Sequence, residues 1–229
     1  MKKRARHYAL VPAKEHSGRC RGKNWRKFLD GLCLVDFTLA GIPSGIFEKV
    51  IVSTDKRDYK APAGVLVHRR DKRLAAKRSC VKDLISILMA EYGVADGDYL
   101  WLLNPTSPFR SKDDYRKIKA AVDSGRPPAL VSAAKIIPYI WKNGEPQFAT
   151  AGKRRNTDDF GDEYSVENGM FYVMNAGYFR KHRKWYGRGV RQYLQDGPWS
   201  SIDIDTEGDF LRARMIGRTW KKAKGIKDA

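Results

Sequence analysis

Residues 99–125 read YLWLLNPTSPFRSKDDYRKIKAAVDSG, and this stretch decides the fold. Tyr99–Leu103 is a nearly all-apolar run of the kind buried on both faces of a sheet. Pro105 and Pro108 then end the ladder, because proline has no N–H to give to it. Ser111 caps a helix and Asp114, three residues on, completes a capping box. Tyr115, Ile118, Ala121 and Val122 recur at helical spacing to form the inner face, and Gly125 is the expected stop. The whole is one strand–turn–helix unit.

The same pattern repeats on either side. Strands are expected at YALV (8–11), KVIVS (49–53), ALVSA (129–133) and MFYVM (170–174). A helix is expected from about Ser79 to Tyr92, where Val81, Leu84, Ile85, Leu88, Met89 and Tyr92 make one stripe that Gly93 ends. A third begins at Thr206, with Asp209 three residues on. This alternation predicts an α/β fold, a doubly wound, mostly parallel sheet covered on both faces, in a single domain over 1–229. Residues 135–165 break the rhythm with prolines, glycines and the apolar Ile136, Ile137, Tyr139, Ile140 and Trp141, and read as either a hairpin flap or a partner-binding arm, of which an inserted dimerisation arm of a homodimer is the favoured reading.

The chain has 229 residues, 42% of them hydrophobic, and 45 Lys and Arg against 26 Asp and Glu, a net charge of +19. That hydrophobic content supports a core and excludes a wholly disordered basic protein. No apolar run approaches the roughly 20 residues of a membrane helix. Cys20, Cys33 and Cys80 are odd in number and without CxxC spacing, which points to reduced thiols in the cytoplasm. Residues 1–7 and 210–229 together supply ten of the nineteen charges, and 1–7 and 218–229 read as solvated basic tails. The remaining surplus suits a polyanionic partner.

Four segments carry candidate chemistry. PAKEHSGRCRGKN (12–24) follows the first strand and combines Gly18 and Gly22 with Lys14, Arg19, Arg21 and Lys23, a loop suited to a polyphosphate at the carboxyl end of a strand. It lacks the GxxxxGK[ST] spacing of a P-loop. SIDIDTEGDF (201–210) alternates, so Asp203 and Asp205 fall on one face of an expected strand, about 7 Å apart. Two such carboxylates suit Mg²⁺ or Mn²⁺, with phosphates and waters completing the shell. A surface strand with acidic residues facing water reads the same way. LLNPTSPFR (102–110) gathers Asn104, Thr106, Ser107 and Arg110 at a strand end, and VENGMFYV (166–173) places the turn dipeptide Asn168-Gly169 before a strand.

In this order and spacing, these segments resemble the acylneuraminate cytidylyltransferase family, over about residues 8–213. The family's opening "PAR..S.R.PGKN" is similar to Pro12, Ala13, Lys14, Ser17, Arg19, Gly22, Lys23 and Asn24; "VVVSTD" to VIVSTD ending at Asp55; "LLQPTSPLR" to LLNPTSPFR; "ENGAIY" to ENGMFY; and "SIDIDTEEDL" to SIDIDTEGDF. The resemblance implies a Rossmann-like nucleotidyltransferase that joins CTP to a 2-keto-3-deoxy sugar acid, giving the CMP-sugar used in glycan assembly, and pyrophosphate. It implies that Ala13, Lys14 and Ser17 line the nucleotide loop, that Arg19 and Lys23 hold the triphosphate, and that Asn24, Ser79 and Arg70 lie near the cytidine. Asp203 and Asp205 would hold the metal, while Asn104, Thr106, Ser107, Arg110 and Asn168 face the sugar and Arg155, on the inserted segment, reaches its carboxylate from the same or the partner subunit. Departures are Lys14 for arginine, which removes a bidentate phosphate contact, Gly18 for lysine, Cys20-Arg21 for an apolar-Pro pair, and Asn104 for glutamine.

Two other readings compete. Asp-Ile-Asp also fits the DxD metal motif of nucleotide-sugar glycosyltransferases, though there it usually follows a mid-sheet strand. The basic ends also fit a nucleic-acid-binding protein, a partner the small-molecule motifs make unlikely.

Overall fold

A computed structural model describes residues 4–75, 80–150, 153–160, 164–195 and 197–225. Seven strands form the main sheet: β1 (His7–Ala13), β2 (Lys49–Thr54), β3 (Val65–Arg69), β4 (Tyr99–Leu102), β5 (Ala129–Lys135), β6 (Ser165–Asn175) and β7 (Arg191–Gln195). Their order is β7-β5-β6-β4-β1-β2-β3. The pairs β1–β2, β1–β4, β2–β3 and β5–β7 are parallel, and β6 is antiparallel to both β4 and β5. The five expected strands all form. MFYVM runs against its neighbours, because β5 reaches β6 through the insert instead of a helical crossover, and a chain that doubles back beside itself pairs antiparallel. The edge strands β3 and β7 were not among those expected. In β7 the polar Arg191, Gln192 and Gln195 hide the apolar pattern, and in β3 the apolar run is only the three residues Val65–Val67.

The helices are α1 (Leu34–Ala40), α2 (Val81–Glu91), α3 (Lys112–Gly125), α4 (Ala176–His182) and α5 (Glu207–Ala223). Alternation along β1 sends Ala9, Val11 and Ala13 into the core shared with Leu34, Phe37, Tyr115, Ile118, Phe210 and Trp220, under α1, α3 and α5. It sends Tyr8 and Leu10 the other way, against Leu84, Ile85, Leu88 and Phe179 of α2 and α4. Both faces are covered, which is the doubly wound architecture. Both expected capping boxes form, Ser111 with Asp114 and Thr206 with Asp209. Gly93 ends α2 at φ +64° as expected. At α3 the left-handed residue is Arg126, φ +43°, one position beyond Gly125, which is itself the last helical residue. The side chain of Arg191 lies where a Cβ on Gly125 would stand.

The reading of 1–7 and 218–229 as tails needs correction. Arg6 donates to Asp98 from Nε at 3.2 Å and Nη2 at 2.8 Å, and Ala5 and His7 are buried. Residues 218–223 continue α5, with Trp220 buried against Phe37 and Phe109 and Lys221 buried on Asp30. An amphipathic helix with one large aromatic gains more from packing than its charges lose. Residues 1–3 and 226–229 lie outside the described residues. Between β5 and β6 the described residues of the insert, 136–150, 153–160 and 164, lie off the main sheet, with small two-residue ladders and a cluster of Tyr139, Phe148 and Phe160, while Ile137, Ile140, Trp141 and Tyr164 stay exposed.

Candidate active site

The sheet winds outward in both directions from β1, toward β2 on one side and β4 on the other, so the carboxyl ends of β1 and β4 part and leave a crevice. A cavity of about 670 Å³ fills it, lined by Lys14, Ser17, Arg19, Lys23 and Asn24 after β1, Arg70 after β3, and Asn104 and Thr106 after β4. Eight residues singled out in three separate segments thus meet in one pocket. Ala13, the last residue of β1, does not line it; its side chain is fully buried, and Pro12 lines the cavity instead. Ser79 lies outside the described residues.

The loop after β1 is folded by its own residues. Gly22 has φ +62°, a conformation that favours glycine, and its carbonyl accepts from the N–H of Trp25 at 3.0 Å and of Arg26 at 3.2 Å. Asn24 Nδ2 and Trp25 Nε1 both donate to the Lys14 carbonyl, at 3.1 and 3.0 Å. Asn24 is buried, and its Oδ1 has no hydrogen-bond partner among the described residues. Burial pushes the Lys14 pKa down, and the nearby charge of Arg70 adds to this, with Asp55 opposing. Arg70 is pushed down to about 10 by burial. A lysine held down by burial and by a neighbouring arginine marks a place where an anion is stabilised.

The acidic pair sits at the rim. Residues 201–205 form no ladder; Ser201 belongs to a turn and the irregular segment after it is held by the Ile204 N–H donating to the Thr106 carbonyl at 2.8 Å. The expected alternation survives without a strand, since Ile204 is fully buried and anchors the segment while Asp203 and Asp205 stay accessible. Ser107 Oγ donates to Asp203 at 3.3 Å. Asp205 receives Arg19 at 2.9 Å and Lys23 at 3.2 Å, and Lys23 also donates to the Ile204 carbonyl. Among the described residues no group of three His, Cys, Asp or Glu side chains gathers to hold a metal. The donors present, two carboxylates with a hydroxyl nearby, are all oxygen, which fits a hard cation that takes its remaining ligands from phosphate and water.

Three residues expected at the sugar do other work. Arg110 is buried, with Nε donating to the Met170 carbonyl and Nη2 to the Asn104 carbonyl, each at 2.7 Å, so it braces the loop that carries Asn104. Asn168 is buried, accepting from Ser132 Oγ at 2.6 Å and donating to Gln195 at 2.8 Å. Asn168-Gly169 is a bulge inside β6, not a turn before it: register shifts between Glu167 and Tyr172, and Gly169 has φ +72°. Its carbonyl accepts from Asn104 Nδ2 at 3.2 Å, and a Cβ there would stand 2.8 Å from Ser107 Oγ. Arg155 lies over Phe160 within the insert and donates to the Asp159 carbonyl, and it is not among the residues of this chain that line the cavity.

Sequence reasoning missed a second hollow, of about 290 Å³, which shares Val81 and Asn104 with the first and is walled by Tyr172, Trp185 and Tyr186. Glu167 accepts from Tyr172 at 3.2 Å and Tyr186 at 2.9 Å. Burial, reinforced by Glu167, raises the Tyr172 pKa, so its hydroxyl stays protonated. Tyr172 alternates with Phe171 and Val173 in β6, which was a signal; Trp185 and Tyr186 lie in a loop and carried none.

No family model matches the chain. It is 29% identical over 235 residues to the N-acylneuraminate cytidylyltransferase of Escherichia coli O18:K1:H7, covering 96% of this chain and 54% of that protein. It is 28% identical over 220 residues to the CMP-N,N'-diacetyllegionaminic acid synthase of Legionella pneumophila, covering 91% of this chain and 94% of that one. The chain thus spans about half the length of the first relative and nearly all of the second. A solved CMP:2-keto-3-deoxy-manno-octonic acid synthetase complexed with CTP superimposes with a TM-score of 0.62 at 12% identity, covering 94% of this chain and 99% of that one. That likeness shows the fold. The resemblance read from the sequence blocks is borne out by the two curated relatives.

Proposed function

We propose that this chain is a cytidylyltransferase that condenses CTP with a sialic-acid-like 2-keto-3-deoxy sugar acid, giving the CMP-sugar and pyrophosphate. One observation carries the reading: the basic loop after β1, the NPTSP turn after β4 and the acidic segment before α5 converge on the switch-point crevice, with cations inside and carboxylates at the rim. The names of both relatives, and the overlap of their sequences with most of this chain, support it.

In this reading the triphosphate lies along Lys14, Ser17, Arg19 and Lys23, with the cytidine toward Asn24 and Arg70. The sugar acid occupies the adjoining hollow beside Asn104, Tyr172 and Tyr186. Its anomeric hydroxyl attacks the α-phosphorus; the bond from that phosphorus to the β-bridging oxygen breaks, and the hydroxyl proton passes to solvent. No protein nucleophile is needed, so positioning and charge neutralisation carry the catalysis. Lys23, held by Asp205 and the Ile204 carbonyl, is placed to take up charge on the departing pyrophosphate. A divalent cation held by Asp203 and Asp205 would supply Lewis-acid polarisation of the phosphate. The exposed apolar side chains of the 135–165 insert suit a second copy of the chain, and the three free thiols suit the cytoplasm. Among the described residues no helix is long and apolar enough to cross a membrane.

The test is a matrix of nucleotides against sugar acids, read as pyrophosphate release with Mg²⁺. Release with CTP and one class of sugar acid, lost in Asp205→Ala, is expected. Absence of release above that control for every pair would sink the proposal, as would sugar transfer from a nucleotide-sugar without CTP consumption.

A further inference from the structure

Arg70 is part-buried in the crevice, and among the described residues its guanidinium has no carboxylate in salt-bridge contact, although Asp55 is near enough to act on its charge. Its Nε donates to Ser53 Oγ at 2.9 Å, and Nη2 is buried with no hydrogen-bond partner among the described residues. Ser53 and His68 are register partners on the parallel strands β2 and β3, and both are buried. Ser53 Oγ lies 2.9 Å from His68 Nδ1, and His68 Nε2 lies 3.5 Å from Glu91 in the last turn of α2. One arrangement of protons satisfies this chain. Arg70 Nε–H can only donate, so Ser53 Oγ accepts it and gives its own proton to His68 Nδ1; the ring's remaining proton then sits on Nε2, facing Glu91. Burial pushes the His68 pKa down, which favours this neutral ring. Ser53 is not a nucleophile, for it is fully buried within β2.

We propose that Ser53 and His68 form a hydrogen-bonded relay, with Glu91 facing the far side of the imidazole, that positions Arg70 with its terminal nitrogens turned to the nucleotide. The inference rests on the crevice being a nucleotide site. Holding Arg70 by Nε fixes the plane of the guanidinium and leaves the Nη groups for the ligand, beside Lys14. The relay also links the nucleotide pocket to α2, whose first residue Val81 lines both hollows. These three are positioning residues, and none touches substrate.

The experiment compares Ser53→Ala, His68→Phe and His68→Asn with the wild-type chain, measuring kcat, the KM of each substrate, CTP binding by calorimetry and the melting temperature. A hydrogen bond to a charged group has the size of about a tenfold change or more in binding. Ser53→Ala and His68→Phe should raise the KM and Kd of CTP about tenfold, with kcat within about twofold and the KM of the sugar acid unchanged. His68→Asn, whose Oδ1 replaces Nδ1 as acceptor, should recover CTP affinity to within about threefold. In the wild-type chain, ¹⁵N NMR at neutral pH should show His68 as the Nε2–H tautomer. The relay is overturned if CTP affinity is unchanged in both disruptive variants, if Asn fails to rescue, if all parameters fall together with the melting temperature, or if His68 carries its proton on Nδ1. A wild-type chain that binds no CTP overturns the nucleotide reading and this inference with it, whereas normal CTP binding with indifferent variants overturns the relay alone.

Discussion

Asp205→Asn separates the chemical role of the acidic rim from its structural one. The change keeps the side-chain shape and removes the charge that Arg19 and Lys23 contact at 2.9 and 3.2 Å. The carboxylate is 39% exposed and Arg19 is 74% exposed, so that pair contributes little to folding; with Lys23, which is only 12% exposed, the total loss is about 1 kcal/mol. For a chain of this length that lowers the melting temperature by about 2–4 °C. The reaction should suffer far more. A carboxylate that helps hold a divalent cation on the reacting phosphate contributes several kcal/mol of charge stabilisation, and about 4 kcal/mol at 1.36 kcal/mol per decade is about a thousandfold in kcat. Removing Asp205 also releases Arg19 and Lys23, so the KM of CTP should stay level or fall. Steady-state pyrophosphate release across a Mg²⁺ titration, with a thermal melt on the same preparation, reads all of these. If kcat falls less than tenfold, or if the loss follows the melting curve, Asp205 is only an anchor for the basic loop and the metal assignment fails.

Three further outcomes are expected. Gly169→Ala places a side chain at φ +72° and 2.8 Å from Ser107 Oγ, which should cost about 1–3 kcal/mol in urea unfolding and lower turnover by disturbing the Ser107–Asp203 contact. Glu167→Gln weakens the carboxylate that receives Tyr172 and Tyr186 and should raise the KM of the sugar acid about fivefold while leaving that of CTP unchanged; equal effects on both would argue against the aromatic hollow as the sugar site. Acid titration tests Asp98 and Asp209, both held below the usual carboxylate range. Burial works against the shift at Asp98, but hydrogen bonds from the Arg6 side chain and backbone and from the Ala95 N–H outweigh it; Thr206 draws Asp209 down to about 2. Their contribution is complete above the unfolded value of about 3.9 and is lost as pH falls toward 2, so equilibrium unfolding should show stability dropping across that window, and Asp98→Asn should flatten part of the slope.

The division between what sequence and structure each determine follows the range of the forces involved. The identities of β1, β2, β4, β5 and β6 and of α2, α3 and α5 are local, set by apolar spacing and by caps such as Ser111–Asp114 and Thr206–Asp209, and they were legible in the sequence, whereas β3, β7, α1 and α4 were not. So were the residues of the loop after β1 and of the NPTSP turn, because their chemistry is concentrated in short contiguous segments. The reversed direction of β6 was not legible, since it depends on the insert replacing a crossover. Nor was the station of Arg110 and Asn168: a basic and a polar residue beside a site look like ligands in sequence, and only packing shows that Arg110 Nε and Nη2 are taken up by Met170 and Asn104 and the Asn168 amide by Ser132 and Gln195. The second hollow joins β6 to the Trp185–Tyr186 loop, and the relay behind Arg70 joins two neighbouring strands to a helix end. Contacts of that kind are set by tertiary packing, which brings together residues that no periodicity relates.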